Sequence, residues 1–267
     1  MNPVYNRFLS RKESGARLCV GIDPVLDTMP SVYTKDARGM LEFSEDIIQQ
    51  TESQALAYKI NAAFFEVLGI EGLEALMAVR ERVPAHIPFI LDAKRGDIGH
   101  TSDRLAAYIF ETLGADATTV HPYMGWDTVA SFAKYEDRFS FVLGLTSNPS
   151  SADFQTQRLE NGKRLAEQVV ETVSAWNKES GNLGVVVGAT QGEQIRDIRA
   201  ASGADLLFLL PGVGAQGASF SDAFELGKNK DDLALVSISR GISRVPDAAG
   251  ESRETVRTAI RKNVEAI

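Results

Sequence analysis

Residues 89–103 read FILDAKRGDIGHTSD, an apolar run that turns within six residues into four charges, Asp92, Lys94, Arg95 and Asp97. Side chains of an extended strand alternate between faces, so Ile90, Asp92 and Lys94 share one face while Leu91 and Ala93 take the other. The stretch therefore reads as a strand whose Phe89 and Leu91 pack against a helix layer. Its charges begin where that packing gives way, with Asp92 and Lys94 facing one space and Arg95 turned away from it.

Seven more short apolar runs resemble this one: LCVGID (18–23), AYKIN (57–61), ATTVHP (117–122), FVLGLT (141–146), GVVVGA (184–189), LLFLLPG (206–212) and ALVSISRG (234–241). Helical patterns separate them. MLEFSEDIIQQTES places Leu41, Ile47 and Ile48 on one face, and GLEALMAVRERV does the same with Leu73, Leu76 and Val79, bordered by Arg80. Strands alternating with helices imply parallel pairing, because a parallel crossover needs a helix-length connection. Eight such units predict an α/β fold, a (β/α)8 TIM barrel forming a single domain over residues 1–267. An open doubly wound sheet is the alternative, but no G-x-G-x-x-G follows the first run.

The longest connection spans residues 146–183. Its second half carries Leu165, Val169, Val173 and Trp176 at helical spacing and closes on Gly181 as a C-cap. Its first half, TSNPSSADFQTQ, is a polar loop that either covers a site or is a neutral insertion.

Composition narrows the function. The 267 residues are 44% hydrophobic and 24% charged, which suits a globular chain with a sizeable core. A net charge of −8 without a Lys/Arg-rich block argues against nucleic-acid or anionic-membrane partners. No stretch approaches the roughly 20 apolar residues that span a bilayer, and the N-terminal residues lack an apolar signal core, so a cytoplasmic protein is expected. The one cysteine, Cys19, reads as a small buried hydrophobe in a reducing compartment.

Catalytic groups of such barrels come from the C-terminal ends of several strands. Polar residues collect there: Asp23 after the first run, Lys59 and Asn61 in the second, Asp92, Lys94 and Asp97 in the third, Thr146 and Ser147 after the fifth, and Arg240 in the eighth. One Asp–Lys pair alone would read as an ion pair at the rim. Two Lys and two Asp converging on one mouth read as a functional cluster, since burying several charges is costly. The loop VGAQGAS, carrying Gln216, together with Arg240 and Gly241 forms a second constellation that suits a phosphate, through backbone N–H groups and a charge-assisted arginine contact. The histidines, His86, His100 and His121, are scattered without ligand spacing, so no zinc site is expected; Mg²⁺ on the carboxylates stays open, with Lys94 between Asp92 and Asp97 competing for them.

LDAKRGDI with YKIN, GID, PGVGAQG and SRG resembles the orotidine 5′-phosphate decarboxylase family, from about residue 18 to 241, and looks like its longer bacterial subgroup. The resemblance implies decarboxylation of orotidine 5′-phosphate to UMP without metal or cofactor. Lys94 would donate a proton to C6 of the pyrimidine, and Asp92 would sit against the substrate carboxylate. Lys59 and Asp97 would complete a Lys-Asp-Lys-Asp tetrad, with Asp23 and Lys59 touching ribose hydroxyls. Asp97 and Thr101 would serve the neighbouring subunit's site in a homodimer. Ser147 would bond the ring amide, and Gln216 and Arg240 would hold the phosphate under a closing loop of about residues 212–219. The chemistry fits: with no electron-sink motif, a C6 carbanion must be stabilised by fixed charge. Two rivals remain, a magnesium-dependent keto-sugar-phosphate decarboxylase or hexulose-phosphate synthase of the same superfamily, and a silent barrel that only binds a phosphorylated ligand.

Overall fold

The computed structural model describes residues 2–188, 192–213, 219–245 and 252–267. Eight parallel strands, β1 (Leu18–Ile22), β2 (Ala55–Asn61), β3 (Phe89–Arg95), β4 (Ala117–Val120), β5 (Phe139–Leu145), β6 (Leu183–Val187), β7 (Leu207–Pro211) and β8 (Leu235–Ile238), close into a barrel in sequence order, with β8 pairing back onto β1. All eight apolar runs are strands. Most stop a residue or more before the quoted runs do, β8 by the widest margin: it stops at Ile238, so Arg240 opens a short helix instead of ending the strand.

The helices are α1 (Pro3–Glu13), α2 (Ala37–Thr51), α3 (Ala63–Glu66), α4 (Gly69–Arg82), α5 (Gly99–Ala107), α6 (Trp126–Ala133), α7 (Leu165–Ser180), α8 (Gly192–Ser202), α9 (Phe220–Gly227), α10 (Arg240–Ser243) and α11 (Arg253–Glu265). The α7 helix ends as its pattern predicts, on Gly181 at φ 69, a left-handed conformation that only glycine adopts without cost.

Strand alternation sorts two cores. Phe89 and Leu91 lie with Ile47, Leu76 and Val79 in the layer between barrel and helices. Ile90, Ala117, Phe141, Leu209 and Leu235 point inward and form the lower barrel interior, where Val4, Tyr5 and Phe8 of α1 join them. The α1 helix thus closes the N-terminal end of the barrel. Asn2 caps it by accepting from the Val4 and Tyr5 amides, while its own amide donates to the Glu136 and Arg138 carbonyls just ahead of β5. Arg11 donates to Ala55 at the start of β2, and Lys12 to Asp231 ahead of β8. Cys19 is fully buried in this interior, and desolvation pushes its thiol up to about 12, as an inert structural cysteine requires.

The last helix is tied to α2 by a buried carboxylate. Asp46 accepts from Arg253 Nε at 2.8 Å, Arg257 Nε at 2.8 Å and the Tyr33 hydroxyl at 2.6 Å. Burial pushes its carboxyl up, but these donors outweigh that and hold it below the usual carboxylate range. The stabilisation is complete above the unfolded value of about 3.9 and is lost as pH falls through the depressed folded value. Asp46→Ala is expected to cost about 2–4 kcal/mol in urea unfolding at neutral pH, with the gap to wild type narrowing in acid.

Candidate active site

Above the apolar interior the inward positions turn polar. One step beyond Ala57, Ile90, Ala117 and Leu235 along their strands stand Lys59, Asp92, Thr119 and Ser237, all buried. Barrel closure sets β2, β3 and β4 side by side, with Asn61 opposite Asp92 in the register.

Asp92 organises the layer. Its Oδ2 accepts from Lys59 Nζ at 2.8 Å, and its Oδ1 accepts from Lys94 Nζ at 2.7 Å and the Thr119 hydroxyl at 2.8 Å. Burial alone would raise the carboxyl, but Lys59 and Lys94 hold it well below the carboxylate range, so Asp92 is an anion at neutral pH. Burial likewise pushes the Lys59 ammonium down, and the charges of Asp92 and Asp23 more than compensate, leaving it raised. The two lysines differ in access. The Lys59 side chain is 8% exposed and that of Lys94 47%, so one anchors the carboxylate from within and the other reaches it from the open mouth.

Alternation alone does not bring Lys94 to Asp92. Pairing of β3 with β4 is interrupted between Leu91 and Arg95, and Lys94 adopts φ 46, a left-handed conformation uncommon for any residue but glycine. Its backbone N–H donates to Thr119 Oγ1 at 2.9 Å in place of a ladder carbonyl. Arg95 turns outward, as expected, and pairs with Glu66 of α3.

The remaining expected residues ring the mouth. Asp23 follows β1 and its Oδ1 accepts from the Asn61 amide at 3.3 Å. Ser147 follows β5, half-buried, with Gly188 pressed against it: a Cβ on Gly188 would lie 2.7 Å from the Ser147 nitrogen, so only glycine fits. Thr146 just before it is fixed by Gln155, whose Oε1 accepts from the Thr146 amide at 2.7 Å. The polar first half of the long connection is therefore folded, with a 3-10 turn at Pro149–Asp153, and a bridge between Arg158 and Arg164 follows it. Arg240 and Gly241 are exposed at the start of α10, and Arg240 has no ion pair among the described residues. Gln216 lies outside the described residues.

Asp97 and Thr101 do not join the cluster within one chain. Asp97 forms no ion pair with Lys59 or Lys94, its Oδ1 accepts from the Ile98 amide at 2.8 Å, and Thr101 is exposed on α5. His100 and His86 are exposed, and His121 packs against Gly96. No group of three or more His, Cys, Asp or Glu side chains among the described residues is placed to hold a metal ion. Sequence reasoning missed Thr119, although ATTVHP lay among the expected strands and its parity with Ala117 marked Thr119 as inward-facing.

Together these features define a class: a (β/α)8 barrel with a buried carboxylate clamped by two lysines at the C-terminal mouth and, on the short helix that follows the eighth strand, an arginine without an ion pair among the described residues. The family model for orotidine 5′-phosphate decarboxylase / HUMPS matches residues 16–255, and the chain belongs to that family. It is 43% identical over 254 residues to an orotidine 5′-phosphate decarboxylase of Roseiflexus castenholzii, covering 94% of this chain and 92% of the relative. It is 41% identical over 269 residues to that of Dehalococcoides mccartyi strain CBDB1, covering 95% and 97%. The solved structure of Leishmania donovani OMP decarboxylase superposes with a TM-score of 0.83 at 37% identity, covering 99% of this chain and 98% of that one.

Removing the charge of Asp92 should lower the Lys59 ammonium, because burial persists while its nearest counter-charge is gone. In Asp92→Asn, NMR of labelled lysine side chains is expected to show Lys59 titrating below its wild-type position, with no comparable change at exposed lysines.

Proposed function

We propose that this chain is a carboxy-lyase converting orotidine 5′-phosphate to UMP and carbon dioxide, with Lys94 as the proton donor. The observation that carries the reading is the clamped Asp92 carboxylate, with Lys94 touching it from the open side of the barrel. In the reaction the C6–carboxylate bond breaks, carbon dioxide leaves, and the electron pair stays on C6. The Lys94 ammonium, 2.7 Å from Asp92, stabilises the developing carbanion and then delivers its proton to C6. Asp92 sits where the substrate carboxylate would approach, holding the Lys94 ammonium in place by their hydrogen bond and repelling the group that departs.

The substrate is held by the mouth. Asp23 and Lys59 suit the ribose hydroxyls, Ser147 the ring amide, and Arg240 with Gly241 the phosphate, joined by Gln216 from the loop after β7. Arg240 is suited to this because no described carboxylate engages it. Enzymes lower barriers by up to ~23 kcal/mol, and binding of the remote phosphate supplies part of that.

The metal-dependent branch of the family would need these carboxylates for a cation. Here both Asp92 oxygens are engaged by ammonium groups and a hydroxyl, which compete with a cation for the same lone pairs. That supports a cofactor-free reaction. A merely binding barrel has no use for such a costly cluster.

A homodimer with shared sites completes the proposal. Asp97 and Thr101 stand apart from their own chain's cluster, and beside them Ile98, Tyr123, Met124 and Trp126 are exposed apolar side chains, as a face that meets a second copy would be. No described helix is long and apolar enough to cross a membrane, and a single buried thiol suits a cytoplasmic setting.

Turnover of orotidine 5′-phosphate, followed by absorbance with excess EDTA, should persist in wild type and fall by at least about 1,000-fold in Lys94→Ala. Loss of wild-type turnover in EDTA, or full activity of the variant, would overturn the reading. Mixing inactive Asp97→Asn with inactive Arg240→Ala should restore part of the activity if sites are shared, and none if each chain works alone.

A further inference from the structure

Thr119 touches two parts of the cluster at once, and the direction of its hydrogen bonds is forced. The Lys94 amide can only donate, so Thr119 Oγ1 accepts there, and its single proton is left for Asp92 Oδ1 at 2.8 Å. The hydroxyl thus replaces the ladder acceptor that the Lys94 amide loses where β3 and β4 part between Leu91 and Arg95. Without it, a residue at φ 46 would keep an unsatisfied N–H in a half-buried position, and the left-handed turn would lose the bond that pins it. Thr119 is itself 1% exposed, so its hydroxyl serves these two partners and not solvent.

We infer that Thr119 is a positioning residue that aims the Lys94 ammonium, by fixing the Lys94 backbone in its left-handed turn and orienting Asp92 beneath it. This rests on the proposed role of Lys94. Thr119 is buried beside Asp92 and acts through the two groups it holds. Its contribution is an interaction needed in the transition state, so its loss falls on kcat and leaves KM nearly unchanged.

The variants are Thr119→Val, which keeps shape but has no hydroxyl, Thr119→Ser, which restores the hydroxyl, and Thr119→Cys, whose thiol is a weak donor and acceptor. Thr119→Val is expected to lower kcat for orotidine 5′-phosphate by about 10- to 100-fold, the rate equivalent of one hydrogen bond to a charged group, with KM within about threefold of wild type. Thr119→Ser is expected within about threefold of wild type in both constants. Thr119→Cys is expected between Ser and Val, and gives the same reading if the valine variant does not fold. Wild-type kcat in Val or Cys, an equal loss in Ser and Val, or a loss confined to KM would overturn the inference. Lys94→Ala separates the two levels: if it retains activity, the role of Lys94 itself fails, whereas if it is inactive and Thr119→Val is unimpaired, only the role of Thr119 fails.

Discussion

The structure depends on how one carboxylate is kept charged out of water. Asp92 is buried, and an isolated anion there would take up a proton. Its charge survives because Lys59 and Lys94 flank it, and the Lys59 charge survives in turn because Asp92 and Asp23 surround it. The two buried ions, Asp92 and Lys59, are tolerable only in the presence of these partners. Parallel pairing meets this demand, since it sets the ends of neighbouring strands side by side and lets groups distant in sequence solvate one another.

Below and around that layer the packing is of an ordinary kind. Inward apolar side chains fill the lower barrel, and outward ones pack against the helices. The two cores give the charged layer a firm base. Its upper side is left to loops and short helices, among them α10 with Arg240, which the C-terminal helix braces as Asn263 donates to the carbonyls of Ile242 and Arg244. The long connection after β5 follows the same division, with Gln155 fixing Thr146 next to Ser147.

The strands were legible because parallel strands buried on both faces read as short apolar runs, and the helices because Ile47, Leu76 and Val173 repeat at helical spacing. Asp92, Lys94 and Lys59 stood out as charges inside apolar runs. Other features depend on partners that sequence does not reveal. Thr119 resembles any β-branched strand residue until the break in pairing is known. Asp46 sits in FSEDII as a helix-surface acid would, and its partner Arg253 is 207 positions away. The kink at Lys94 was hidden because the alternation rule gives the right neighbour for a different geometric reason. Placing Arg240 in strand eight put a group from a short helix into the sheet.

The helix that closes the lower end of the barrel has a consequence for traffic. With Val4, Tyr5 and Phe8 packed among the inward side chains, the interior has a floor, and the described residues leave no passage beneath it. A ligand that reaches Asp92 must leave the way it came. For a reaction that splits one molecule into a gas and a nucleotide, both products would then share the one mouth through which the substrate came in.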